Sequence, residues 1–206
     1  MKSLSVLFLL SMTLGAAAHA AVVNVNVTDS AGLPLAQSVA VLEPVSGKLP
    51  VRPMAGIEVS QSKRQFQPAF TVVTVGTPVT FPNFDTVRHH VYSFSPAKTF
   101  ELKLYAGVPG TPVVFDKPGM AVLGCNIHDN MAAWILVVDS PLYARSGADG
   151  KARIATVPPG AYRLRVWHPG LPANVEPAPT PIIVTEADAE HAVRLKVTPT
   201  PPAALP

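Results

Sequence analysis

The chain has 206 residues, with 16 Lys and Arg against 13 Asp and Glu, and a formal net charge of +3. The excess behind its pI of about 9.1 is small, and no Lys/Arg cluster is interleaved with aromatics, which argues against a nucleic-acid partner. The 23 Pro, set among Val-rich segments, exclude long helices and predict short strands joined by fixed turns.

Residues 1–20 read MKSLSVLFLLSMTLGAAAHA. A Lys at position 2, an apolar run from Leu4 to Leu14 and an Ala18-His19-Ala20 exit have the layout of a secretory signal peptide. The run is too short to span a bilayer comfortably, and an uncleaved anchor is the alternative. No later run is long and apolar enough to span. The mature chain is expected to begin at Ala21, to carry +2 once Lys2 is lost, and to be soluble outside the cytoplasm. It can form one large β domain or two small ones.

In VVNVNVTDSAGLPLAQSVAVLEPV, residues 22–45, Val and Asn alternate with a period close to two. This predicts a half-buried strand, a turn at TDSAGLP and a second strand. Residues 46–70 are less regular. Strands are expected over Ala69–Val75 and Pro78–Phe81 with a turn at Gly76, and RHHVYSFS alternates again. AKTFELKLYAG would place Phe100, Leu102 and Leu104 on one face. TPVVFDKPGMAVLGC supplies two strands around Pro118-Gly119, and AAWILVVDSP a final apolar strand of this stretch. Residues 140–198 form another unit, with an Asp149-Gly150 turn, an alternating strand through Tyr162, Leu164 and Val166, and two strands in PIIVTEADAEHAVRLKV. Residues 199–206 have the composition of a disordered tail.

The only cysteine, Cys125, stands in LGCNIHDNMAAW, with His128 three residues on and Met131 three further. An exported protein normally pairs its cysteines, and one thiol cannot pair within the chain. It is either a small buried hydrophobe or a ligand. Upstream, FPNFDTVRHHVYSF offers a further imidazole. Two His and one Cys with a weak axial Met are the blue-copper set. A zinc site would more often offer a second Cys or His than a thioether. The expected site is therefore one copper ion held by Cys125, His128, Met131 and one imidazole of the upstream His89-His90 pair.

These two motifs resemble the cupredoxins, of the amicyanin type. VTFPNFDTVRHHV is similar to the strand with the first ligand His, which counting from Asn83 falls at His89. FDKPGMAVLGCNIHDNM resembles the F-x-x-P-G…C-x2-H-x2-M end of the domain, with the short ligand loop. More narrowly, FPNFDTVRHHVYSFSPAKTFELKLYAG with LGCNIHD resembles bacterial exported proteins named for methylamine utilization. The resemblance covers roughly residues 60–139 and implies a Greek-key β-sandwich, a periplasmic location and His128 as a surface electron port. His90 departs from the pattern, because the family usually has Asn there. Strand neighbours face opposite ways, so His89 is taken as the ligand. His90, together with Asn83 and Asp129, is taken as a supporting residue, His90 tying the two ligand loops together. The reverse assignment of the two histidines stays open, as do Met131 as plain core and Asp129 as a solvated turn residue.

VTDSAGLPLAQSVAVLEP and SGADGKARIATVPPGAYRLRVWHPG resemble the two halves of a transthyretin-like or carboxypeptidase-regulatory-like sandwich. The expected fold is therefore all-β, a cupredoxin over 46–139 inserted into a small split sandwich of 21–45 and 140–198. A single enlarged cupredoxin is the alternative. His168 in VWHPG is read as a structural turn residue and His191 as exposed. The expected function is electron transfer between exported or membrane-attached redox proteins, by a monomer that is no enzyme. The alternatives are copper storage or delivery, a metal-free sandwich and, if Met131 does not bind, an enzyme with an open metal position.

Overall fold

The computed structural model describes residues 20–172 and 175–197. The expected leader, Ala20 apart, and the expected tail lie outside them. All regular structure among the described residues is β, and none of it is a helix that could cross a membrane.

The alternating opening segment forms β1 (Ala21–Thr28), whose odd residues are buried and whose even ones are half-buried, and β2 (Val39–Pro44) follows. Residues 46–70, expected to be less regular, hold three short strands: β3 (Ile57–Glu58), β4 (Ser60–Ser62) and β5 (Gln65–Gln67). Each is too short for alternation to register in the sequence. Next come β6 (Phe70–Thr74), β7 (Thr77–Thr80), β8 (His89–Ser95), β9 (Lys98–Tyr105), β10 (Val113–Phe115), β11 (Gly119–Gly124) and β12 (Ala132–Val138). The chain then runs through β13 (Tyr143–Arg145), β14 (Lys151–Val157), β15 (Gly160–Trp167), β16 (Thr180–Val184) and β17 (Ala189–Arg194).

Four of the five sheets form two pairs, and the fifth is the two-stranded β4-β5 hairpin. The order β14-β1-β17 faces β13-β2-β15-β16 across a core of Val23, Val25, Leu42, Ile154, Leu164 and their neighbours. The order β6-β12-β11-β8-β9 faces β10-β7-β3 across a second core that includes Val79, Phe81, Phe115, Leu123 and Ile135, with Cys125 and Met131 in it. A third cluster joins the pairs: Val39, Val41 and Trp167 pack on Phe70, Leu136 and Val138. This explains why AAWILVV is apolar throughout. In β12, Ala133, Ile135 and Val137 point into the second core, and Leu136 and Val138 into the joint. A strand buried on both faces cannot alternate.

One expectation about β9 is corrected. Phe100 and Leu102 pack against the core, but Leu104 is 51% exposed. The pairing of β8 with β9 shifts between His89 and Val91, which face Tyr105 and Leu102. His90 of β8 thus stands opposite both Lys103 and Leu104 of β9, a bulge that reverses the facing of the residues beyond it. Tyr105 takes the inward place that Leu104 was expected to fill.

Candidate metal centre

Two loops meet at one end of the second pair of sheets, the one before β8 and the one between β11 and β12. His89 is the first residue of β8, Cys125 follows the last residue of β11, and Met131 precedes the first of β12. The turn between the last two is closed by the Met131 N–H, which donates to the His128 carbonyl at 3.0 Å. Gly124 pairs with both Tyr92 of β8 and Ala132 of β12, so the strand that delivers Cys125 is held on both sides. A Cβ at Gly124 would lie 2.7 Å from the Tyr92 ring, and only glycine admits that ring against the backbone.

His89 Nδ1 lies 4.0 Å from Cys125 Sγ, and one ligand atom each from His89, Cys125 and His128 all fall within 4.8 Å of one another. Metal–ligand bonds of about 2.0–2.3 Å call for ligand atoms separated by roughly this much. His128 Nδ1 is buried and has no hydrogen-bond partner. A buried ring nitrogen without a partner costs about 1–3 kcal/mol, and a metal would remove that cost. A thiol and two imidazoles are a donor set suited to a soft transition metal, so these residues fit a copper ion. Met131 is buried beside Cys125 in the same apolar cluster. A hollow of about 500 Å³ opens beside them, lined by Tyr92, Gly124, Cys125, Asp129 and Met131.

The other sequence-expected residues separate. Asn83 is buried and organises the loop before His89: its amide donates to the carbonyls of Val87 (2.9 Å) and Tyr105 (3.0 Å), and its Oδ1 accepts from the Asp85 N–H. His90 does not tie the ligand loops together. Its Nε2 pairs with the Glu101 carboxylate at 2.9 Å and its ring rests on Tyr92, because strand alternation turns it away from the cluster. Asp129 is exposed at the rim of the hollow. His168, expected in a turn, accepts the Gly170 N–H at 2.9 Å. His191, expected to be exposed, is half-buried, because it lies on β17 in register with Val25 of the buried β1.

No sequence motif marks Asp85 as part of the site. Its Oδ2 accepts from His89 Nε2–H at 2.8 Å and from the Arg64 N–H at 2.9 Å, and its Oδ1 from the Lys63 N–H at 2.7 Å. Burial pushes this carboxyl up, but the bonds from Arg64, His89 and Lys63 outweigh it and hold it below its ordinary value. Lys63 and Arg64 form the tip of the β4–β5 hairpin, with φ of 54° and 56°. Left-handed backbone costs a non-glycine residue roughly 1–2 kcal/mol. A hydrogen bond to a charged acceptor is worth about 1.5–3 kcal/mol, so Asp85 offsets what the turn costs. Beneath the site, the Tyr105 hydroxyl donates to the Phe81 carbonyl and accepts from Gln61, a residue fully buried. Burial, with Cys125 adding to it against the Gln61 bond, pushes the Tyr105 hydroxyl up to about 12, so it stays a donor.

No protein-family profile matches the sequence, and no curated protein does. Among solved structures, similarity is found to a mutant of amicyanin in its reduced Cu(I) form at pH 4, with 18% identity over 48% of this chain and 98% of that one and a TM-score of 0.37. It is also found to a purple cupredoxin from Nitrosopumilus maritimus, with 20% identity over 40% of this chain and all of that one and a TM-score of 0.35. A Cu-containing nitrite reductase (NirK) from Thermus scotoductus SA-01 has 23% identity over 54% of this chain but 28% of its own, with a TM-score of 0.39. All three scores lie below 0.5.

Proposed function

We propose that this is an exported copper protein of the cupredoxin kind that passes single electrons between redox proteins, with His89, Cys125, His128 and Met131 as its ligands. The observation that carries this is the convergence of His89 Nδ1, Cys125 Sγ and a ring nitrogen of His128, with His128 Nδ1 left unpartnered. Copper held there supplies a one-electron Cu(I)/Cu(II) couple. The chain's own part is to hold the donors still. Strands on both sides fix Cys125, the Asp85 bond fixes His89, and the closed 128–131 turn fixes His128 and Met131. Donors that barely move when the charge changes keep the reorganisation cost low, and four protein ligands leave no position open for a substrate. The partners in this reading are exported or membrane-attached redox proteins, and the residues 21–45 and 140–198 form a separate small sandwich around the copper-binding body.

The open hollow beside Cys125 and Met131 favours a second reading, copper storage or delivery, since an ion could be handed over through it. Titration of the protein with Cu(II), followed by visible absorption and electron paramagnetic resonance, separates the two. Intense visible absorption with narrow copper hyperfine splitting supports electron transfer. Binding without those signals supports storage or delivery, and no binding sinks both.

A further inference from the structure

We propose that Asp85 is the positioning residue of this centre: it selects the His89 tautomer that leaves Nδ1 free towards Cys125, and its charge shifts the copper couple towards Cu(II). The second half rests on the copper reading above, and the first half does not.

A neutral imidazole carries one proton, and the partner of one nitrogen decides the state of the other. Asp85 Oδ2 can only accept, so at 2.8 Å it places the proton on His89 Nε2 and the lone pair on Nδ1. Nδ1 is the nitrogen 4.0 Å from the thiol. His89 is fully buried, so water cannot compete for its ring, and the Asp85 side chain is only 17% exposed.

Asp85 is itself held from three directions. The Lys63 and Arg64 N–H groups fix its two oxygens from the hairpin tip, and its own N–H donates to Asn83 Oδ1. Both tip residues occupy left-handed backbone, which turns the two N–H groups onto one carboxylate. The carboxylate thus cannot swing away from the imidazole without undoing the hairpin tip. A fixed negative charge bonded to a ligand raises the ligand's basicity and favours the more positive metal state. The hairpin β4–β5 supplies no ligand, yet it reaches the centre through this one residue.

The test compares the wild-type chain with Asp85→Asn and Asp85→Ala. In the metal-free protein with ¹⁵N-labelled histidine, long-range ¹H–¹⁵N spectra should show His89 as a single Nε2–H tautomer. Asp85→Asn, whose side-chain oxygen still accepts, should keep that tautomer, and Asp85→Ala should lose it. In the copper-loaded protein, Asp85→Asn should raise the reduction potential by the equivalent of a tenfold change in the Cu(II)/Cu(I) affinity ratio, about 59 mV for one electron. A wild-type His89 protonated on Nδ1, or a potential unchanged in Asp85→Asn, overturns the proposal. If Asp85→Ala does not fold, the wild-type tautomer and the Asp85→Asn potential still decide. If no copper binds, the copper reading fails, and the metal-free spectra alone decide the positioning role.

Discussion

Cys125 Sγ and His89 Nδ1 lie 4.0 Å apart across 36 residues of chain, while His90, next in sequence to His89, spends its Nε2 on Glu101. The two neighbouring histidines should therefore behave differently. Cys125→Ser should abolish the intense visible absorption of the Cu(II) protein. His89→Ala should cut copper affinity by orders of magnitude in a chelator competition, whereas His90→Ala should leave it within a few-fold. Copper lost only in the His90 variant would reverse the assignment.

Met131 belongs to the apolar core as well as to the turn that carries His128. Met131→Leu keeps volume and should cost under about 1.5 kcal/mol in urea unfolding of the metal-free chain. Met131→Ala leaves a cavity and should cost about 2–5 kcal/mol. The leucine variant should nonetheless alter the absorption and hyperfine splitting of the copper form, because the thioether is gone. An unchanged spectrum would make Met131 a core residue only.

Gly124 and Tyr92 are matched in shape. Gly124→Ala should destabilise by about 1–3 kcal/mol, the usual range for overpacking. In a Tyr92→Ala background the same change should cost much less, giving a coupling of at least about 0.5 kcal/mol in a double-mutant cycle. Equal costs in both backgrounds would locate the strain elsewhere.

Burial holds the His168 imidazole below its ordinary pKa of 6.5. The unfolded chain then binds a proton more readily than the native one, so the stability is complete above about pH 6.5 and declines as pH falls through the lower native value. Urea midpoints measured from about pH 7.5 down to about pH 5 should fall more steeply for the wild type than for His168→Gln. Parallel curves would show that another group carries the acid sensitivity.

How far the sequence could be read depends on how far each signal extends along the chain. The Val/Asn alternation of β1 and the closely spaced Cys125, His128 and Met131 are local, and both are visible in a dozen residues. The pairing of His89 with that trio needed a motif rather than a pattern, since β8 and β11 meet only in the folded sheet. The Asp85 link was out of reach for a clearer reason. It depends on a hairpin whose tip is Lys63-Arg64, where the usual Asn-Gly signal of such a turn is missing. The bulge that turns Tyr105 inward and Leu104 outward is a one-residue shift in pairing, and composition carries no trace of it.

The outer pair of sheets has a consequence for how the chain is made. β1 lies between β14 and β17, and the Val22 N–H bonds the Asp188 carboxylate across 166 residues. Synthesis, and any transport that threads the chain from its N-terminus, delivers β1 and β2 long before their sheet neighbours. β3 to β12 form a continuous stretch and can complete their three sheets in the meantime. Two Val-rich strands then wait unpaired beside an almost finished body, with their hydrogen-bonding edges open. A chain stopped after β12 would keep every metal-site residue and still lack all that covers those edges, so its hazard would be aggregation rather than loss of the site.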